Sequence, residues 1–225
     1  MNHRAKLATT FAMLLLLHAA AARAADAAAA RAADACAYDH AALLALDEDA
    51  FDQDLANGGG GWRAIGNRPG CELVAADLLA DYRAAHPDSG GILAWHEGQM
   101  RANAGQYAQA IPLFEAARKP ADKDMGGWNP YVDATLAFVR RDKRALLKAR
   151  KKLAAVEYPG GDGLPPLDHG YFTVPTAPGQ PVVRMRWPPN IDVVDGLVHC
   201  FDKPYAEAYA SNCRPAPPKP APKGG

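Results

Sequence analysis

The sequence predicts a mainly α fold: a stack of antiparallel helical hairpins, followed by a small C-terminal β-hairpin and a disulfide-linked helical cap. Three observations predict it. Apolar side chains recur at helical spacing through most of residues 39–158. Gly70 and Gly105 head two similarly patterned segments 35 residues apart, the interval of a helical-repeat protein. After Tyr158 the composition turns to proline and glycine, then to short alternating runs that read as strands.

The N-terminal residues 1–24 have the layout of a secretory signal. Arg4 and Lys6 are followed by an apolar stretch over 7–22 and the small-x-small sequence Ala22-Arg23-Ala24. The stretch is shorter than the roughly 20 residues a membrane-spanning helix needs, and His18 interrupts it. Cleavage and a periplasmic or secreted location are therefore expected, without stable membrane insertion. The chain has 25 basic and 25 acidic side chains, and the leader holds Arg4, Lys6 and Arg23 but no acid, leaving 22 against 25. Such a balance argues against a surface dedicated to nucleic acid.

Residues 25–38 are alanine-rich and expected to be a disordered leader. Asp39 can cap a helix carrying Leu43, Leu44, Leu46, Phe51 and Leu55, which the run from Gly58 to Gly61 would stop. The acidic residues Asp47, Glu48, Asp49, Asp52 and Asp54 read as a solvated helix face. They miss a calcium loop at three positions, Ala56, Asn57 and Arg63. Four cysteines in an oxidising compartment allow three pairings; Cys36 with Cys71 and Cys200 with Cys213 are preferred, because each pair then lies inside one local helical unit.

The clearest segment is 91–117. Gly105, Tyr107, Ala110, Phe114 and Ala117 follow the order Gly-x-Tyr-x-x-Ala-x-x-x-Phe-x-x-Ala, with Gly98 on the preceding helix. This resembles the tetratricopeptide repeat, in which a small residue allows close helix crossing and an aromatic fills the space between hairpins. Gly70, Ala75 and Leu79 repeat the pattern upstream, after a short first helix near Trp62, and His86-Pro87 ends that helix. Downstream, Trp128, Tyr131, Val132 and Thr135 occupy inward positions 34 residues after Ala94, Glu97, Gly98 and Arg101. Asp142 marks a late turn, and Leu146, Leu147 and Leu153 supply the apolar side of the next helix. The resemblance covers about 56–158 and implies a concave groove lined by first helices.

Beyond 158, Tyr171–Val174 and a run over 182–187 predict a β-hairpin across the turn-rich Pro175 to Gly179, with Val183, Met185 and Trp187 on an apolar face and Arg184 and Arg186 on a basic one. Asn190 is placed to cap a helix with Ile191, Val194, Leu197, Val198 and Phe201 on one side, and Pro204 to start another with Tyr205 and Tyr209. Residues 159–213 thus form the β-hairpin and cap, and 214–225 a disordered proline-rich tail.

Catalytic signatures are weak. Ser89 and Ser211 lack a nucleophile-elbow context, and His96-Glu97-Gly98-Gln99-Met100 puts methionine where a zinc-binding His-Glu-x-x-His needs its second histidine. No metal or cofactor is expected. The basic run with Arg140, Arg141, Lys143, Arg144, Lys148, Arg150, Lys151 and Lys152 reads as helix surface, or as a docking face for an acidic partner. The repeat resemblance implies that Trp95, Gln99, Asn103, Asn129 and Asp133 face the groove. The expectation is a non-catalytic protein that binds a protein or peptide, as a scaffold, an inhibitor or an immunity protein. The alternative is a cell-envelope hydrolase using His96 with a carboxylate such as Glu97 or Asp133.

Overall fold

The computed structural model describes residues 35–54, 59–161, 165–174 and 183–215. The expected signal segment, most of the expected leader, Leu55, Gly58, the segment read as a turn from Pro175 to Gly179, Val182 and residues from 216 onward lie outside the described residues. Among the described residues the protein is mainly helical, with one two-stranded antiparallel sheet and two disulfides, Cys36–Cys71 and Cys200–Cys213. It forms two compact units, residues 1–78 and 79–225. Among the described residues no helix is long and apolar enough to cross a membrane.

In the first unit, Asp39 caps helix α1 (His40–Leu44) as expected, its carboxylate accepting from Ala42 N at 3.0 Å. The helix is shorter than its apolar pattern suggests. It stops at Leu44, and a separate π-helical turn, Asp49–Gln53, begins where Asp47 accepts from Ala50 N at 2.8 Å. The acidic cluster is not uniformly solvated either. Asp52 is 0 % exposed and accepts from Trp62 Nε1 at 2.7 Å and Arg63 Nη1 at 3.2 Å, so its charge is compensated in the interior. Gly61 makes this fold-back possible: it has φ +52, and a Cβ there would lie 1.9 Å from the Phe51 carbonyl oxygen. Helix α2 (Arg63–Gly66) is a single turn, after which Cys71 ties back to Cys36.

Helix α3 (Glu72–Ala85) ends just before His86-Pro87, with Ala75 and Leu79 buried. In the second unit α4 (Gly91–Asn103) and α5 (Tyr107–Ala116) form the hairpin read from the sequence, turning at Gly105 with φ +79. Gly98 is the contact point. A Cβ there would come within 2.8 Å of the Phe114 ring and 3.3 Å of Leu113 Cβ. Phe114 is fully buried and cannot retreat, so Gly98→Ala should cost about 1–2 kcal/mol of stability, the overpacking outweighing the gain of about 1 kcal/mol in helix propensity. A lowered urea midpoint at unchanged helicity would check this.

A second hairpin joins α6 (Trp128–Val139) to α7 (Lys143–Ala154), with Asp142 accepting from Ala145 N at 2.9 Å as the cap of α7. Tyr131, Val132 and Thr135 point inward, and Leu146 and Leu153 are buried. Leu147 departs from expectation: it is 47 % exposed, on the outer face of α7 among basic residues.

Strands β1 (Tyr171–Val174) and β2 (Val183–Arg186) pair antiparallel, Tyr171 opposite Arg186 and Phe172 opposite Met185. Trp187 just beyond β2 stacks edge-on with Tyr158 at 5.0 Å and donates to Val156 O at 2.9 Å, which docks the Phe172–Trp187 end of the hairpin, while Met185, expected on the same apolar face, is 39 % exposed. Helices α8 (Ile191–His199) and α9 (Tyr205–Tyr209) form the cap, bridged by Cys200–Cys213. Asn190 precedes α8 in a left-handed conformation, φ +64, and makes no side-chain cap bond, so it serves the turn rather than the helix end. The core of this unit runs from Trp95, Phe114 and Tyr131 to Leu197 and Tyr205.

Candidate binding groove

The face of α4 expected to line an open groove is largely covered. Trp95 is 2 % exposed, with its ring 4.7 Å from Phe114, 4.9 Å from Trp128 and 4.9 Å from Tyr131. Gln99, one turn on, is buried beside the Tyr205 hydroxyl of α9. Asn103, on the last turn, is half-buried, and its Oδ1 has no hydrogen-bond partner among the described residues. Over Trp95 the cover is Phe114 of α5 with Trp128 and Tyr131 of α6; over Gln99 it is α9, where Tyr205 N donates to Tyr107 OH at 3.0 Å and the Tyr205 ring lies against Phe114 and Phe138. Burial pushes the Tyr131 and Tyr205 phenols well above their ordinary pKa, with Tyr209 adding to both.

The remaining two predicted residues sit elsewhere. Asn129 clamps the segment before α6: its Oδ1 accepts from Lys119 N at 3.0 Å and its Nδ2 donates to Lys119 O at 2.8 Å. Asp133 does reach a concavity, a trough of about 300 Å³. Its floor is Leu136 and Ala137 of α6, and one wall is Ala145, Lys148, Ala149 and Lys152 of α7. The spacings of four and seven place these α7 residues on one helix face, and the alanines keep the trough open. Arg118 and Arg140 close the other edge.

Cations outnumber carboxylates here. Arg118 Nη2 lies 2.7 Å from Asp133 Oδ1, Lys152 Nζ 3.9 Å from Asp133 Oδ2, and Arg140 Nη2 2.5 Å from Glu115 Oε1. Asp142 is occupied as the α7 cap, and among the described residues Lys148 has no ion-pair partner. All these pairs are substantially exposed, where an ion pair is worth about 0–1 kcal/mol, so a ligand carboxylate can exchange into them at little cost.

Arg118 also borders a second, more apolar pocket of about 360 Å³, lined by Ile92, Ala117, Pro120 and Trp128. Trp128 is fixed by its Nε1 donating to Ala117 O at 2.7 Å, and Lys119 lies 5.5 Å from its ring. Two adjoining concavities, one basic and one aromatic, thus share Arg118. Of the expected site only Asp133 belongs to this pair. Arg118 and Lys119 escaped sequence reading because the linker over 117–127 carries no repeat pattern, and Ile92 because it sits in the first turn of α4, ahead of the groove positions, whereas Lys148 and Lys152 were legible within the basic run.

The carboxylates named for a hydrolase are both engaged. Glu97, 4 % exposed, is held by Arg83 and by Arg101 Nε at 2.8 Å, two partly buried arginines. Among the described residues no cluster of three or more histidine, cysteine, aspartate or glutamate side chains is arranged to hold a metal. The chain matches no protein-family model, no curated protein and no solved structure.

Proposed function

We propose that this protein is an exported, non-catalytic binding module of tetratricopeptide-like hairpins, which holds an acidic protein or peptide segment across the α6–α7 trough and the adjoining Trp128 pocket. The observation that carries this reading is the shared Arg118 edge: a basic trough with an unpaired Lys148 runs directly into an aromatic pocket. An extended segment can place carboxylates on Arg118, Lys148 and Lys152 and an apolar side chain against Trp128. Two successive hairpins with a glycine contact at Gly98 support the repeat reading, and two disulfides fit an oxidising compartment. Engagement of Glu97 and Asp133 by basic side chains favours binding over His96-based hydrolysis.

The test is selection of peptides from a random display library. Recovered sequences should be rich in aspartate and glutamate with one large apolar residue, and should lose affinity with added salt. The double variant Arg118→Glu/Lys148→Glu should bind them at least about tenfold more weakly, or about 1.4 kcal/mol. Recovery of no peptide, or equal binding by the double variant, would sink the reading.

A further inference from the structure

A second cleft, of about 360 Å³, lies between the β-hairpin and the cap, away from the α6–α7 trough. Three guanidinium groups converge on it from separate parts of the chain. Arg184 and Arg186 are two apart on β2 and so share one face of the hairpin. Arg214 arrives from the C-terminal side of the Cys200–Cys213 bridge. Two of the three lie on tyrosine rings: Arg184 is 4.8 Å from the centre of Tyr171 and Arg214 is 4.9 Å from that of Tyr209.

Each guanidinium is held by one carboxylate. Arg184 Nη2 meets Asp168 Oδ2 at 2.5 Å, Arg186 Nη1 meets Asp195 Oδ2 at 2.8 Å, and Arg214 Nη1 meets Asp192 Oδ2 at 3.2 Å. Asp195 also serves Arg150 at 2.6 Å, so four arginines share three aspartates and the region keeps a positive excess. A guanidinium has five N–H donors, and the contacts to Asp168 and Asp195 leave most of those on Arg184 and Arg186 unused. Asp192 lines the cleft too, but its carboxylate is directed at Arg214, which it positions. Fold stability does not call for this convergence, because partly exposed ion pairs contribute little and three like charges oppose one another. An oxyanion that presents two acceptor oxygens side by side, as carboxylate and phosphate both do, matches what the free donors offer.

We propose that this cleft is an oxyanion-binding site that takes a small ligand bearing carboxylate or phosphate groups, gripped by Arg184 and Arg186 and flanked by Arg214 and the two tyrosine rings. The shared chemistry is a compact anion with two or more oxygen acceptors. Whether carboxylate or phosphate is preferred follows from the choice of probe.

Calorimetric titration of the full chain at low salt with inorganic phosphate and, separately, citrate tests this. One of the two should bind saturably with a Kd of about 1 mM or tighter, and the tighter probe identifies the source. Arg184→Gln should weaken binding at least about fivefold and Arg184→Gln/Arg186→Gln at least about fiftyfold. Asp168, the partner of Arg184, is 70 % exposed, so the single variant leaves the fold intact and an unchanged melting temperature certifies it. Lys123→Gln, on the exposed linker before α6 and in neither concavity, should bind as the parent does. Saturable binding of neither anion, affinity unmoved by Arg184→Gln, or equal loss in Lys123→Gln would each overturn the proposal.

Discussion

Trp95→Ala is expected to lower the stability of the second unit by about 3–5 kcal/mol while changing the affinity of the folded protein for an acidic peptide little. The indole is at the centre of an aromatic cluster, within 5 Å of Phe114, Trp128 and Tyr131, and none of these rings can collapse into the space it would leave. Phe114 is already wedged against Gly98, Tyr131 is fully buried, and Trp128 is tied to the Ala117 carbonyl. Transfer and cavity costs therefore add, and the lost ring–ring contacts contribute about 0.5–1.5 kcal/mol for each pair. Urea denaturation followed by far-ultraviolet circular dichroism measures the first part, and peptide titration below the transition measures the second. A variant of parental stability that binds weakly would return Trp95 to the wall of a groove.

Loss of the Cys36–Cys71 bridge is the other large effect. The bridge spans 35 residues, for which loop-closure entropy gives about 4 kcal/mol, and it closes a unit whose buried side chains besides the bridge are, among the described residues, Phe51, Trp62, Ile65, Ala75, Ala76, Leu78 and Asp52. So small a unit depends on its covalent tie. Cys36→Ser/Cys71→Ser should leave residues 35–70 open to proteolysis under native conditions while the fragment from about residue 79 resists. The Cys200–Cys213 bridge closes a loop of 13 residues and should contribute about 3 kcal/mol by the same account. Limited trypsin digestion followed by intact-mass analysis separates the two units. Simultaneous digestion of both would show that the bridge does not act locally.

The features legible in the sequence are those whose cause is local. Gly98 and Gly105 announce the α4–α5 hairpin, because a close crossing and a positive φ each demand a residue without a Cβ. Asp39 and Asp142 announce helix starts through the amide each can accept from. Where the cause is distant, local reading misassigns the residue. Asp52 lies in an acidic run that looks solvated, yet the Gly61 fold-back brings Trp62 and Arg63 onto it. Leu147 fits the apolar spacing of α7, but the neighbours that bury Leu146 and Leu153 leave it outside. Trp95 and Gln99 are four apart on α4, as the helical spacing requires. What each would meet is set elsewhere, by Phe114 of α5 and by Trp128 and Tyr131 of α6 for Trp95 and by α9, about a hundred residues later, for Gln99, and no periodicity encodes it.

The position of α9 also bears on how the chain reaches its native state. Tyr205 supplies the cover over Gln99 and Phe114, and Arg141 holds the same region by donating to the carbonyl oxygens of Phe201 and Lys203. A chain made from its N-terminus completes α4 through α7 long before this cover emerges. Until then the flank of the first hairpin stays wet and adhesive. A segment synthesised later is therefore the one that makes the earlier helices safe from self-association.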